Sequence, residues 1–191
     1  MEKTKIQIYM RHHKTGALGP AQRYALWVQG CNKRCPGCIS PDAQPLDGGY
    51  AVEVERLVHE ILSQSDIEGI TISGGEPYLQ QNTLCELIDA VRSQRDFGVI
   101  VYTGMNYKEV AELPLTSRCD LLIDGEYIDA LNDDLSLRGS SNQCIICISD
   151  RYTDIVDNYY GQPGRKMEFF LCDGKMSMVG IPSKSAKEML K

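Results

Sequence analysis

The chain has 191 residues, 42% hydrophobic and 24% charged, with a formal net charge of −6. That length can bury a core without disulfide staples and suits one main domain. The acidic balance argues against a nucleic-acid partner, and no apolar run reaches the roughly 18 residues of a membrane span.

The N-terminal stretch "MEKTKIQIYMRHHKTG" carries charges on both sides of a short alternating segment and has no small-residue cleavage site. It does not read as a signal peptide. The eight cysteines are therefore expected to be reduced, in a cytoplasmic protein. His12 and His13 are expected in solvent.

Short apolar runs predict buried strands at 24–28, 69–73, 99–103, 120–124 and 144–148. Helical periodicity lies between some of them. Residues 52–64 place Val54, Leu57, Val58, Ile61 and Leu62 on one face. Residues 82–94 do the same with Leu84, Leu87, Ile88 and Val91, with Asn82 as the expected N-cap. A shorter helix at 106–113 is stopped by Pro114. Strands alternating with helices predict a parallel sheet covered by helices, with chemistry in the loops after the strands' C-terminal ends. The glycines of "GGEP", "TGMN" and "DGEY" fall in such loops.

After residue 150 the pattern changes. Residues 1–150 form the expected core domain, and 151–191 an extension with a helix and a β-hairpin at 167–182, turning at "DG". Covering a sheet edge is the favoured reading of that hairpin, and partner docking the other.

The stretch "CNKRCPGC" places Cys31, Cys35 and Cys38 in one loop after the first predicted strand. A structural zinc site closes its tetrahedron with four protein ligands, and no neighbouring His or Cys supplies the fourth. In "CIIC", Cys144 and Cys147 would face opposite sides of a strand and read as small core residues. Three thiolates fit a 4Fe–4S cluster with one open iron, where a substrate or cofactor can bind.

These features resemble the radical S-adenosylmethionine (SAM) superfamily, whose signature is this C-x3-C-x2-C loop. "SGGEP" (73–77) matches the superfamily's GGE motif. "LWVQGCNKRCPGC" (26–38), "VYTG" (101–104) and "LLIDGEYIDALNDDLSLRGSSNQ" (121–143) are similar to the activating enzymes of anaerobic ribonucleotide reductases. The resemblance spans about residues 15–149. It implies an α/β fold, an open partial (β/α) barrel, with the hairpin as an addition. It implies that Cys31, Cys35 and Cys38 hold three irons of a 4Fe–4S cluster and that SAM chelates the fourth. An electron from a flavodoxin- or ferredoxin-type donor would cleave SAM to a 5′-deoxyadenosyl radical. That radical would take hydrogen from a glycine of a partner glycyl-radical enzyme, such as anaerobic ribonucleotide reductase.

The expected SAM contacts sit at the matching positions. In the cysteine loop these are Gly37, Cys38 and Ile39. After the next strand they are Ser73, Gly74, Gly75 and Glu76, where glycines would let backbone approach a ligand and Glu76 could accept from an ammonium group. Thr103 offers a hydroxyl at a strand end, and Asp124 closes the following strand. Arg138, Ser141 and Asn142 belong to the polar "RGSSNQ" loop. No acid–base pair is required, because the cofactor carries the chemistry. Trp27 reads as core. Two other function classes stay open, a radical SAM enzyme modifying a ribosomal peptide or small molecule, and a non-catalytic iron–sulfur or metal-binding module.

Overall fold

A computed structural model describes residues 3–160, 162–172 and 174–189. The chain opens with β1 (Lys5–Thr15) and β2 (Arg23–Val28), then β3 (Tyr50–Glu53), α1 (Val54–Leu62) and β4 (Gly69–Gly74). Next come α2 (Gln81–Arg92), β5 (Gly98–Tyr102), α3 (Tyr107–Val110), β6 (Leu121–Asp124) and β7 (Cys144–Cys147). The C-terminal segment holds α4 (Thr153–Tyr159), β8 (Met167–Cys172), β9 (Lys175–Gly180) and α5 (Lys184–Met189).

Seven strands form one sheet in the order β3-β1-β2-β4-β5-β6-β7. Its centre, β2-β4-β5-β6, is parallel as the apolar runs imply, while β1, β3 and β7 join antiparallel. The N-terminal alternating stretch is thus a full strand, and Val52 belongs to β3 before α1 begins at Val54. Asn82 is not a cap: α2 starts at Gln81, continuing a short 3-10 turn at Pro77–Gln80. α3, shorter than the helix expected over 106–113, opens with a cap that was not anticipated, a capping box of Asn106 and Glu109.

Alternation along the central strands sends side chains to two different cores. Tyr24, Leu26 and Val28 of β2 join Leu57 and Ile61 of α1 and Leu84 of α2 on the helix-covered face. Ala25 and Trp27 point the other way, onto Val179 and Ile181 beside the hairpin. Beside them Ile100, Leu121 and Ile123 pack on Tyr152, with Ile155 and Val156 of α4 against that cluster. The hairpin pairs only within itself, as a separate two-stranded sheet. It therefore covers a face of the main sheet and not an edge. Its expected turn residue Asp173 lies outside the described residues.

A buried arginine fixes the end of the sheet away from those loops. Arg23, 0% exposed, donates to Thr71 Oγ1, the carbonyls of Ile70 and Gly98, the Tyr152 hydroxyl and the Glu68 carboxylate. Every direction of its fork meets an acceptor, so a charge that would be costly alone is satisfied. Of the two histidines expected in solvent, His13 is exposed, with Nε2 2.8 Å from Glu60, whereas His12 is half-buried with its ring 3.6 Å from that of Phe170. No helix among the described residues is long and apolar enough to cross a membrane.

Candidate active site

Four parallel strands end at one pocket. β2 leads into the cysteine loop, β4 into Gly75–Glu76, β5 into Thr103–Gly104 and β6 into Gly125, and all of these loops supply lining residues. This is where an open α/β sheet places its ligands.

Cys31, Cys35 and Cys38 all line the pocket. Their loop is wound tightly, with Gly30, Arg34 and Gly37 at positive φ (95°, 54° and 72°). Cys38 N–H donates to Cys35 O at 3.1 Å, closing a turn around Pro36–Gly37. The backbone N–H of Lys33 donates to Cys31 Sγ at 3.4 Å. Burial pushes the Cys35 thiol up to about 11, helped by neighbouring Glu126 and opposed by the Tyr127 backbone N–H. A metal must therefore displace a proton there. Among the described residues, no group of three or more His, Cys, Asp or Glu stands close enough to hold a single metal ion. Cluster ligands each take a separate iron and need not crowd one point, so three soft donors around one pocket fit an iron–sulfur cluster.

The GGE loop is packed against the cysteine loop itself. Gly75 N–H donates to Val28 O and Glu76 N–H to Gly30 O, at 2.8 and 2.7 Å. A Cβ on Gly75 would stand 2.1 Å from the Gly30 carbonyl oxygen, and one on Gly74 2.5 Å from Val28 N. Protein backbone, rather than an approaching ligand, already excludes side chains at both positions.

Glu76 is buried, and its carboxylate spans two loops. One oxygen accepts from Thr103 Oγ1 at 2.8 Å and Tyr78 N–H at 3.2 Å, and the other from Gly104 N–H at 3.0 Å. Burial raises its pKa above the ordinary carboxylate value, against the pull of these donors. The Thr103 hydroxyl is also engaged, donating to Glu76 and accepting from Met105 N–H at 3.0 Å.

A family model described as a 4Fe-4S single cluster domain matches residues 17–146. The anaerobic ribonucleoside-triphosphate reductase-activating protein of Salmonella typhi is 32% identical over 152 residues, covering 71% of this chain and 97% of the relative. The chain belongs to the radical SAM activating-enzyme family. The Escherichia coli (strain K12) protein of the same name is 31% identical over 137 residues, covering 66% of this chain and 89% of the relative. The pyruvate formate-lyase-activating enzyme of Staphylococcus epidermidis is 31% identical over 153 residues, covering 72% and 59%.

In this activating-enzyme chain the expected contacts divide into two groups. Cys38, Ile39, Ser73, Gly74, Gly75, Glu76 and Thr103 line the pocket. Gly37, Asp124, Arg138, Ser141 and Asn142 are not among the residues that line it. Gly37 turns its carbonyl to Lys187 Nζ at 2.8 Å. Asp124 accepts from the backbone N–H of Tyr107 and Cys144, at 2.7 and 3.0 Å, pinning α3 and β7. Arg138 is paired with Asp133 at 2.6 Å, while Ser141 and Asn142 are exposed. Their loop reaches the pocket through Gly139 and Gln143 instead. The Gln143 amide accepts from Gly139 N–H and donates to Gly125 O, both at 2.8 Å. Lys33, Tyr127, Gln44 and Ile181 also line the pocket, and Trp27, expected as core alone, does both. Cys144 is exposed rather than core, and Cys147 is half-buried.

Proposed function

We propose that this protein is a glycyl-radical-enzyme activating enzyme, with anaerobic ribonucleotide reductase as its partner. The observation that carries this reading is the meeting of the three cysteines, the GGE loop and the Thr103 loop in one pocket at the ends of parallel strands. Cys31, Cys35 and Cys38 would each hold one iron of a 4Fe–4S cluster, leaving the fourth iron for SAM. The bound pair would supply reductive cleavage of SAM and, through it, hydrogen abstraction from a glycine. The chain's own part is positioning and shielding. Ser73 and the backbone of Gly74–Gly75 form the wall beside the cysteine loop, and buried Glu76 fixes the distance between the β4 and β5 loops. Trp27, Leu18, Ile39 and Tyr102 give that pocket an apolar part that would keep water from the bound pair.

Residues 1–150 act in this reading as the core, a partial (β/α) barrel, and the remainder as its extension. Electrons come from a flavodoxin- or ferredoxin-type donor in the cytoplasm. The test is anaerobic incubation with SAM, a reductant and purified anaerobic reductase, read by electron paramagnetic resonance. A glycyl-radical doublet on the reductase is expected. SAM cleavage without any radical on the reductase would exclude that partner.

A further inference from the structure

The matched family segment ends at residue 146, yet two pocket-lining residues come from beyond it, Gly180 and Ile181. Ile181 is 8% exposed and belongs to one buried cluster with Leu18, Ala25, Trp27 and Val179. Ile39, the residue after the third cysteine, and Tyr102, at the end of β5, pack on that cluster. Ile181 thus completes the apolar part of the lining of a pocket that the three thiols and Glu76 also line. The chain bearing it is closed over the sheet face that a bare half-barrel would leave accessible from the side.

The position of Ile181 is fixed from both directions. Arg165, itself 4% exposed at its side chain, donates to the carbonyl of Pro182, the next residue, at 2.8 Å. The same guanidinium donates to the carbonyls of Leu135 and Arg138 at 2.9 and 2.7 Å, tying Ile181 to the loop that carries Gly139 and Gln143. Further along, Lys187 Nζ reaches Asp129 at 2.5 Å and the Gly37 carbonyl at 2.8 Å. On the other side Glu168 accepts from Thr15 Oγ1 at 2.5 Å and Gly16 N–H at 3.0 Å. A side chain so anchored does not swing aside as a surface residue would.

We infer that Ile181 is a specificity-determining residue, limiting the hydrogen donor to a carbon without a side chain, the α-carbon of glycine. The inference rests on the activating-enzyme reading. Hydrogen transfer needs the reacting carbons at near contact, roughly 3–3.5 Å. The donor's C–H bond breaks, a C–H bond forms at the 5′ carbon of deoxyadenosine, and the unpaired electron moves to the donor carbon. No further reactant is needed. At that distance a methyl group on the donor carbon must occupy space, and a β-branched wall in a close-packed cluster yields little of it.

The test uses full-length protein, reconstituted anaerobically, with SAM and dithionite. The probes are two capped pentapeptides, identical except for a central α-deuterated glycine or α-deuterated alanine. Deuterium in 5′-deoxyadenosine is measured by mass spectrometry, and iron content and SAM affinity are read on the same samples. Wild type should take deuterium from the glycine peptide at least tenfold faster than from the alanine peptide. Ile181→Ala should narrow that ratio at least fivefold at saturating SAM, where a change in SAM affinity does not enter the ratio, and Ile181→Val should narrow it less. Ile181→Phe should lower transfer from both peptides further than it lowers SAM cleavage, read as total 5′-deoxyadenosine formed. If Ile181→Ala loses iron through misfolding, the smaller change in Ile181→Val decides. A ratio that does not move in the folded variants, or no transfer from either peptide while SAM cleavage is intact, overturns the inference alone. A wild-type protein that holds iron but neither binds nor cleaves SAM overturns the activating-enzyme reading with it.

Discussion

Glu76 and Thr103 meet carboxylate to hydroxyl at 2.8 Å across the ends of two neighbouring parallel strands. The contact joins the GGE loop to the β5 loop, and Gly104 N–H secures the second carboxylate oxygen at 3.0 Å. Glutamine in its place can present an amide N–H to the Gly104 or Thr103 donor, leaving a buried donor without an acceptor. Glu76→Gln is expected to cost about 1–3 kcal/mol and to weaken SAM binding at least tenfold, by equilibrium dialysis. Thr103→Ser should bind like wild type, and Thr103→Val should fall between. Equal SAM affinity in Glu76→Gln would show that the clamp does not shape the pocket.

Gly75 and Gly104 both line the pocket, but only one of them is boxed in by backbone. A methyl on Gly75 would meet Gly30 O at 2.1 Å and Ala43 O at 2.9 Å, next to the first cysteine. One on Gly104 meets the Lys33 side chain at 3.2 Å, which can move aside. Gly75→Ala should therefore lose most of its iron on reconstitution, whereas Gly104→Ala should hold a full cluster. The measurement is iron per chain with the visible absorption spectrum. Full iron in Gly75→Ala would mean that the two loops separate without harm to the cysteines.

The strength of the sequence signals follows how local each one is. Apolar runs over β2, β4, β5 and β6 and the helical faces of α1 and α2 are local, and the structure has them at the expected places. β1 was hidden because its eleven residues carry two histidines, an arginine and two lysines on a strand covered on one face only in part. The cysteine triad was legible from spacing. The reason for the double glycine was not, because the excluding atoms, in Gly30 and Ala43, lie more than thirty residues away. In the "RGSSNQ" loop, polar residues suggested a ligand but largely bond one another and nearby backbone. Ile181 has no local signature at all, and only packing of the hairpin brings it beside Trp27.

The cysteines themselves separate cleanly. Cys31→Ala, Cys35→Ala and Cys38→Ala should each fail to retain a 4Fe–4S cluster. Cys85→Ala should retain it, since Cys85 is a buried residue of α2, in one cluster with Leu84, Leu87 and Ile88, and is not among the residues that line the pocket. Its cost is a small cavity, about 1 kcal/mol. Cluster loss in Cys85→Ala with an unchanged melting temperature would contradict this assignment.

Glu60 gives the fold a defined acid sensitivity. Its burial works against ionisation, but hydrogen bonds from Arg11 and Tyr24 outweigh it and hold the carboxyl below its ordinary value of 4.5. Arg11 Nε and the Tyr24 hydroxyl each stand 2.7 Å from Oε1. For a carboxyl with a depressed folded value, stability is fully present above the unfolded value and is lost as pH falls through the folded one. Glu60→Gln should therefore be less stable than wild type at pH 7 by about 1.5–3 kcal/mol. The two should converge once the pH drops below the folded value, which lies under 4.5. Urea midpoints at a series of pH values measure this, and a difference that stays constant down to acid pH would rule it out.

Removing the C-terminal segment tests whether it is an appendage or part of the fold. A chain ending at residue 150 lacks Tyr152, which is 2% exposed and hydrogen-bonded to Arg23 at 2.9 Å. The Arg23 guanidinium keeps Glu68 but loses the ring that lies over it, 5.5 Å from its centre. The same cut uncovers Trp27, Ile100, Leu121 and Ile123 on one face of the sheet. Each large side chain returned to water costs about 1.5–3 kcal/mol, and several together approach the whole stability of a domain. The truncated protein should therefore aggregate or melt well below the full chain, and should lose SAM binding along with partner activation. A milder cut is informative too. Ending the chain at residue 183 keeps Tyr152, Arg165 and Ile181 and removes only α5 with Lys187. That variant should stay folded, by near-ultraviolet circular dichroism, but lose iron faster in air, because the Gly37 carbonyl inside the cysteine loop has lost its 2.8 Å donor. If the chain ending at 150 instead folds, binds SAM and fails only with the partner, the segment is a docking element.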